Sequence, residues 1–122
     1  MADQLGAFPS RMFRWAAVYG VIVLAPLYLL PLPPTGGEVW LGFVGLALVF
    51  QIVFWIIGGN PVKYRALMPL AVVEKLAFGL PAVALFASGY PVPMPLPVFA
   101  GIDLLLGAGF LLAWRATPGA TR

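Results

Sequence analysis

Four apolar runs of 17 to 22 residues, at 15–32, 38–57, 66–87 and 98–114, occupy most of the 122-residue chain. A helix needs about 20 predominantly apolar residues to cross the ~30 Å hydrocarbon core of a bilayer, so each run is long enough to span one. The composition excludes a water-soluble globule. Hydrophobic residues make up 62% and charged residues 9%, with a mean hydropathy of +1.01, whereas soluble domains carry roughly 45–50% and ~25%. The connections are too short for a second soluble domain, a disordered tail or a nucleic-acid-binding module. The expected fold is therefore all-α, a four-helix transmembrane bundle forming one domain over residues 1–122.

Prolines and glycines mark the ends of the runs. The first run follows Arg11 and Arg14, as the apolar part of a secretory signal would. Residues 31–37, Pro-Leu-Pro-Pro-Thr-Gly-Gly, offer no small-residue cleavage site, so the run is retained, with Pro26 as a kink and Pro31 as its end. Gly58-Gly59-Asn60-Pro61 ends the second run and starts the third: glycine is a helix C-cap, Asn60 an N-cap and Pro61 a first helical residue. The third run contains Pro69, Glu74, Lys75 and Pro81, and prolines are tolerated in spanning helices whose neighbours re-satisfy the freed carbonyls. Proline at every other position of 91–97 predicts an extended, polyproline-like loop. The fourth run is short, roughly 25 Å as a helix, and should stand nearly upright.

The basic residues give an orientation. Arg11 and Arg14, Lys63 and Arg65, and Arg115 and Arg122 flank the same ends of the runs, while the loops at 33–37 and 88–97 carry no cation. The positive-inside rule then places both termini in the cytoplasm, with Trp15, Trp55 and Trp114 near the inner interface and Trp40 near the outer one. On this reading the net charge of +3 sets topology and does not signal an anionic partner.

Cysteine and histidine are absent, which removes disulfides, thiolate nucleophiles, the common zinc and iron sites and imidazole-based triads. The sequence implies no cofactor or metal. What chemistry remains sits in polar side chains within the runs. Counted at 1.5 Å per residue from the cytoplasmic end, Tyr19 lies at about 7 Å, Gln51 at ~10 Å and Glu74 and Lys75 at ~13 Å. An inner cluster of Gln51, Glu74 and Tyr19 follows, with Lys75 snorkelling toward the cytoplasm. Asp103 and Tyr28, at ~18 and ~20 Å, form an expected outer pair. An ion pair of Lys75 with Asp103 would offset the cost of two intramembrane charges. The opposite leans of the two side chains argue against it, separating the groups by roughly 8–10 Å.

Glu74 and Asp103 have two readings. An ionised carboxylate at mid-membrane costs at least ~2.5–3.5 kcal/mol, which marks a functional site; a neutral or hydrogen-bonded carboxyl would only fix helix register. Gly42, Gly45, Ala47, Ala71, Gly101, Ala108 and Gly109 read as packing positions. Gly107, one turn from Asp103, leaves a bare surface for a neighbouring helix or a small ligand. Phe43, Phe50, Phe54, Phe78, Phe86, Phe99 and Phe110 read as lipid-facing or core residues. In the turn at 60–65, Lys63 and Arg65 are candidates for contact with lipid phosphates and Tyr64 for an interfacial anchor.

The stretch 59–76, Gly-Asn-Pro-Val-Lys-Tyr-Arg-Ala-Leu-Met-Pro-Leu-Ala-Val-Val-Glu-Lys-Leu, resembles small bacterial four-helix membrane proteins of DoxX-like organisation. In those a second helix ends in a polar turn, followed by proline, a basic residue and a third helix with a buried polar position. The resemblance implies a multi-pass protein of the bacterial inner membrane and no particular activity. With so little catalytic chemistry, the leading expectation is a non-catalytic binder of a lipid-like or quinone-like small molecule, or an accessory subunit to a membrane-protein partner or a homo-oligomer. The alternative is a small proton-coupled exporter using Glu74. Small multidrug exporters have four helices in about this length, but carry their membrane glutamate on the first. A membrane isomerase with Glu74 and Asp103 as acid and base ranks third.

Overall fold

The computed structural model describes the backbone of residues 2–119 and the side chains of residues 7–119; Arg122, one of the cations counted above, lies outside them. Among the described residues the chain is all-helical. Helix α1 (Ala2–Leu24) continues into a 3-10 segment (Ala25–Leu29), followed by α2 (Gly37–Gly59), a 3-10 turn (Arg65–Leu67), α3 (Met68–Ala87) and α4 (Leu96–Ala116). Four stretches, Ala7–Leu29, Gly37–Gly59, Arg65–Ala87 and Leu96–Ala116, are long and apolar enough to cross a membrane.

The helices start and stop where local chemistry permits, and this shifts several expected boundaries. Helix α1 begins well before residue 15 and holds Pro9 inside it. Pro26 cannot donate a helical hydrogen bond, so the chain tightens into the 3-10 segment and ends at Leu30, one residue before Pro31. Asn60 does not start the third helix. It caps the end of α2, and its Oδ1 accepts from the Lys63 N–H at 3.3 Å to shape the turn. The proline-rich loop is shorter than its pattern predicts, because Pro97 falls in the first turn of α4, where its missing N–H has no partner to lose. The fourth helix is 21 residues long as a result.

Two glycines have left-handed backbones that a side chain would strain. Gly36 (φ 79°) precedes α2 and its carbonyl accepts from Val39 and Trp40. Gly89 (φ 87°) ends α3 in a Schellman motif, with Gly89 N–H donating to the Phe86 carbonyl at 3.2 Å and Tyr90 N–H to that of Leu85 at 3.0 Å.

The bundle consists of two antiparallel hairpins, α1–α2 and α3–α4, joined by contact between α1 and α4; α2 and α3 barely touch. Close approach within each hairpin depends on glycines. A Cβ at Gly20 would overlap the Gln51 carboxamide, and one at Gly58 would lie 3.0 Å from the Ser10 carbonyl. In the other hairpin a Cβ at Gly79 would press on Leu104, and one at Gly107 would lie 3.3 Å from Lys75 Cβ. Of the small residues marked from sequence, Gly42 and Gly101 have no neighbour near a Cβ position and Ala108 is exposed.

Where α1 meets α4, the rings of Phe13 and Phe110 stack at 4.2 Å and Phe54 tilts against Phe110 at 4.9 Å. All three are fully buried, with Ile57, Met68, Ala71 and Ala113 around them. This core lies at the end of the bundle that carries Arg14 and Arg65, here called the basic end; the other is the proline end. Arg14, Ser10 and Arg65 close helix termini there. Ser10 Oγ donates to the Gly58 carbonyl at 2.6 Å, Arg14 Nε to that of Trp55 at 3.4 Å, and Arg65 Nε to that of Thr117 at 2.7 Å. Cations at the carbonyl ends of α2 and α4 complement the negative end of each helix dipole.

Large aliphatic side chains face outward. Leu105 is 74% exposed and Ile22 and Leu46 are both 67% exposed, whereas the interior beyond the aromatic core holds mainly glycines, alanines, Gln51 and Lys75.

Candidate functional site

The aromatic core fills the basic end, and above it the bundle is hollow. Ala47 on α2 carries too little side chain to fill the space, and a cavity of ≈310 Å³ opens among all four helices toward the proline end. Val23, Leu27, Phe43, Phe78 and Phe99 form apolar walls; Tyr19, Gln51, Glu74, Lys75 and Asp103 form a polar floor.

At the floor, Lys75 Nζ lies 3.6 Å from Glu74 Oε1 and 3.6 Å from Asp103 Oδ1, and 5.2 Å from the centre of the Phe54 ring. Both expectations for this lysine are corrected. It does not snorkel, since its side chain is only 5% exposed, and it does meet Asp103. The reason is Gly107. Without a side chain at that position α4 lies directly against Lys75 Cβ, so the flexible stem runs along α4 for one turn and brings the ammonium to Asp103. Both contacts exceed the ~2.7–2.9 Å of a short charge-assisted hydrogen bond, so the ammonium is shared between the carboxylates and not bonded to one. Two acids and one base leave an electronegative floor when all three are ionised.

Three buried polar atoms at the floor have no hydrogen-bond partner: Tyr19 Oη, Gln51 Oε1, and Glu74 Oε1, whose ion-pair partner Lys75 stands off at 3.6 Å. The orientation of Gln51 follows from chemistry. Its amide nitrogen donates to the Ala47 carbonyl at 2.8 Å, which can only accept, so the oxygen turns toward Gly20, where nothing donates to it. An unsatisfied buried polar group costs about 1–3 kcal/mol, and native proteins keep few of them. The expected inner trio thus shares one cavity, yet its members do not satisfy one another.

Tyr28 does not join Asp103. The 3-10 segment rotates it away, and it is 47% exposed, with its hydroxyl 3.3 Å from the position a Cβ would take at Gly45 of α2. In the 60–65 turn, Lys63 is exposed with its ammonium 5.4 Å from the Tyr64 ring, while Arg65 stacks on Trp114 at 4.7 Å besides capping α4.

Gly20 and Gly79 escaped sequence reasoning, although a signal existed. Residues 20 and 51 lie within one residue of equal distance from the 33–37 turn, and 79 and 104 likewise from Pro91, so reflecting each hairpin about its turn nearly pairs them. No protein-family model, no curated protein and no solved structure matches the chain.

Proposed function

We propose that this chain is an integral membrane protein of a bacterial inner membrane, with both termini cytoplasmic, that binds a lipid-like or quinone-like small molecule between its helices without transforming it. The outward-facing Leu105, Ile22 and Leu46 suit a hydrocarbon environment. Arg11, Arg14, Lys63, Arg65 and Arg115 gather at one end, as the positive-inside rule requires of a cytoplasmic face. The bacterial setting rests on the DoxX-like resemblance of residues 59–76.

One observation carries the binding reading: an apolar cavity whose polar floor holds two buried atoms without a hydrogen-bond partner, Tyr19 Oη and Gln51 Oε1, and a third, Glu74 Oε1, whose ion pair with Lys75 is too long for a hydrogen bond. Ligand sites combine such apolar walls with a few convergent polar groups. Gln51 Oε1 only accepts, an ionised Glu74 only accepts, and Tyr19 can do either. The complementary head is therefore a hydrogen-bond donor, such as a hydroxyl, a phenol or an amine. A quinol fits this floor better than the corresponding quinone, which offers acceptors alone.

Mass spectrometry of protein released from mild detergent tests this directly. A donor-headed lipid in fixed ratio to wild-type chain, lost from a helical Ala47→Phe variant whose ring fills the cavity, is the expected result. A wild-type chain that stays bare when offered prenyl alcohols and quinols would refute it.

Proton-coupled export is the second reading, favoured by the position of Glu74 on both the cavity and the groove between α2 and α3. It requires flux across reconstituted vesicles that Glu74→Gln abolishes. Binding without flux leaves the first reading.

A further inference from the structure

The seam between α2 and α3 continues the cavity sideways. A second hollow of ≈370 Å³ runs along it, lined by Leu46, Phe50 and Ala77 on its outer part. Phe43, Ala47, Glu74 and Phe78 line this groove and the central cavity alike. The rings of Phe43 and Phe78 meet at a tilt across the seam, with centres 5.7 Å apart. Elsewhere in the bundle glycines draw neighbouring helices together, whereas α2 and α3 barely touch.

We propose that the site binds a single-chain amphiphile, with its head in the cavity and its tail leaving through the α2–α3 seam into the surrounding hydrocarbon. This rests on the binding reading above and extends it to a ligand class and a route. Size selects the head. A cavity of about 150 Å³ accommodates benzene, so ≈310 Å³ holds a head of one or two rings or a short branched alcohol, and not a glycerophosphate with two chains. Continuity selects the tail. The groove is apolar apart from Glu74, opens outward along Leu46 and Ala77, and is separated from the cavity by the touching rings of Phe43 and Phe78, whose parting admits one chain. A molecule bound this way never crosses water; it slides in from the bilayer once Phe43 and Phe78 part.

Because the chain has no cysteine, introduced pairs can be bridged selectively. Leu46→Cys with Ala77→Cys, joined by a disulfide-containing bifunctional thiol reagent, would pin the seam shut from outside. Val21→Cys with Ile52→Cys, across the apolar groove between α1 and α2, is the control bridge. The readout is exchange of a pyrene-labelled undecanol between protein and dioleoyl phosphatidylcholine vesicles. Bridging the seam is expected to slow exchange at least tenfold, reduction to restore it, and the control bridge to leave it unchanged. Undiminished exchange through a bridged seam, or equal slowing by the control bridge, overturns the route while leaving binding intact. If wild-type protein fails to bind the probe, both the route and the binding reading fall. Should the first pair bind no probe where wild type does, Phe43→Cys with Phe78→Cys supplies the same test from inside the seam.

Discussion

Removal of the Lys75 ammonium is the sharpest perturbation the structure offers. Lys75→Met keeps an unbranched apolar stem and deletes the ammonium at its end. In wild type the ammonium lies 3.6 Å from each of two carboxylates, with side-chain exposures of 5% for Lys75, 17% for Glu74 and 20% for Asp103. At an effective dielectric constant of ~20, a unit pair at that distance attracts by about 4–5 kcal/mol. Two such contacts set an upper bound, reduced by repulsion between the carboxylates and by the desolvation of all three groups. Breaking a buried ion pair by deleting one partner costs about 3–5 kcal/mol, because the remaining charge is uncompensated. Here proton uptake by the carboxylates relieves part of that, so the expected loss is about 3 kcal/mol. The assay is thermal and denaturant unfolding in a fixed detergent, with the triple variant Lys75→Met, Glu74→Gln, Asp103→Asn alongside. The triple variant should recover most of the loss, since a neutral cluster has no unpaired charge. If Lys75→Met is as stable as wild type, or if neutralising both acids fails to rescue it, the ammonium does not hold α3 and α4 together and the account of the floor is wrong.

Gly107→Val should force α4 away from Lys75 Cβ and cost about 1–3 kcal/mol by overpacking, read as a lowered Tm; a normal Tm would show that the close approach is dispensable. Phe110→Ala removes a fully buried ring stacked on Phe13. In lipid the water-transfer part of the usual cost is absent, so the cavity part of about 2 kcal/mol is expected, measured by the same unfolding. Ser10→Ala leaves the Gly58 carbonyl without its side-chain donor and should cost about 1 kcal/mol, with faster hydrogen exchange confined to the end of α2. Single cysteines at Lys63 and Ser88 check the orientation: an impermeant thiol reagent added to intact cells should label Ser88→Cys alone, and labelling of Lys63→Cys alone would invert the bundle.

The four helices were legible because apolar length is a one-dimensional property. A run such as 38–57 has no other low-energy conformation in hydrocarbon, where each backbone group must bond within its own segment, and α2 departs from it by two residues at most. Boundaries failed where proline has more than one use. Pro97 reads as a loop residue from its alternating pattern, yet an N-terminal helical position accepts it equally well. Gln51, Glu74 and Tyr19 were brought to one level by counting rise alone. Lys75 and Asp103 were not, because depth along two helices says nothing of the distance between them.

Residue order alone therefore determined that the chain forms four bilayer-length helices with the cations that flank them at one end, and which polar groups lie within them. Only the tertiary structure decided what those groups meet. Gly107 admits the stem of Lys75 and joins it to Asp103, the 3-10 segment after Leu24 removes Tyr28, and the parting of α2 from α3 opens a cavity beside Glu74. The physical reason is that helix formation depends on neighbours along the chain, whereas a site depends on how closely two helices approach, and one missing Cβ on the partner decides that.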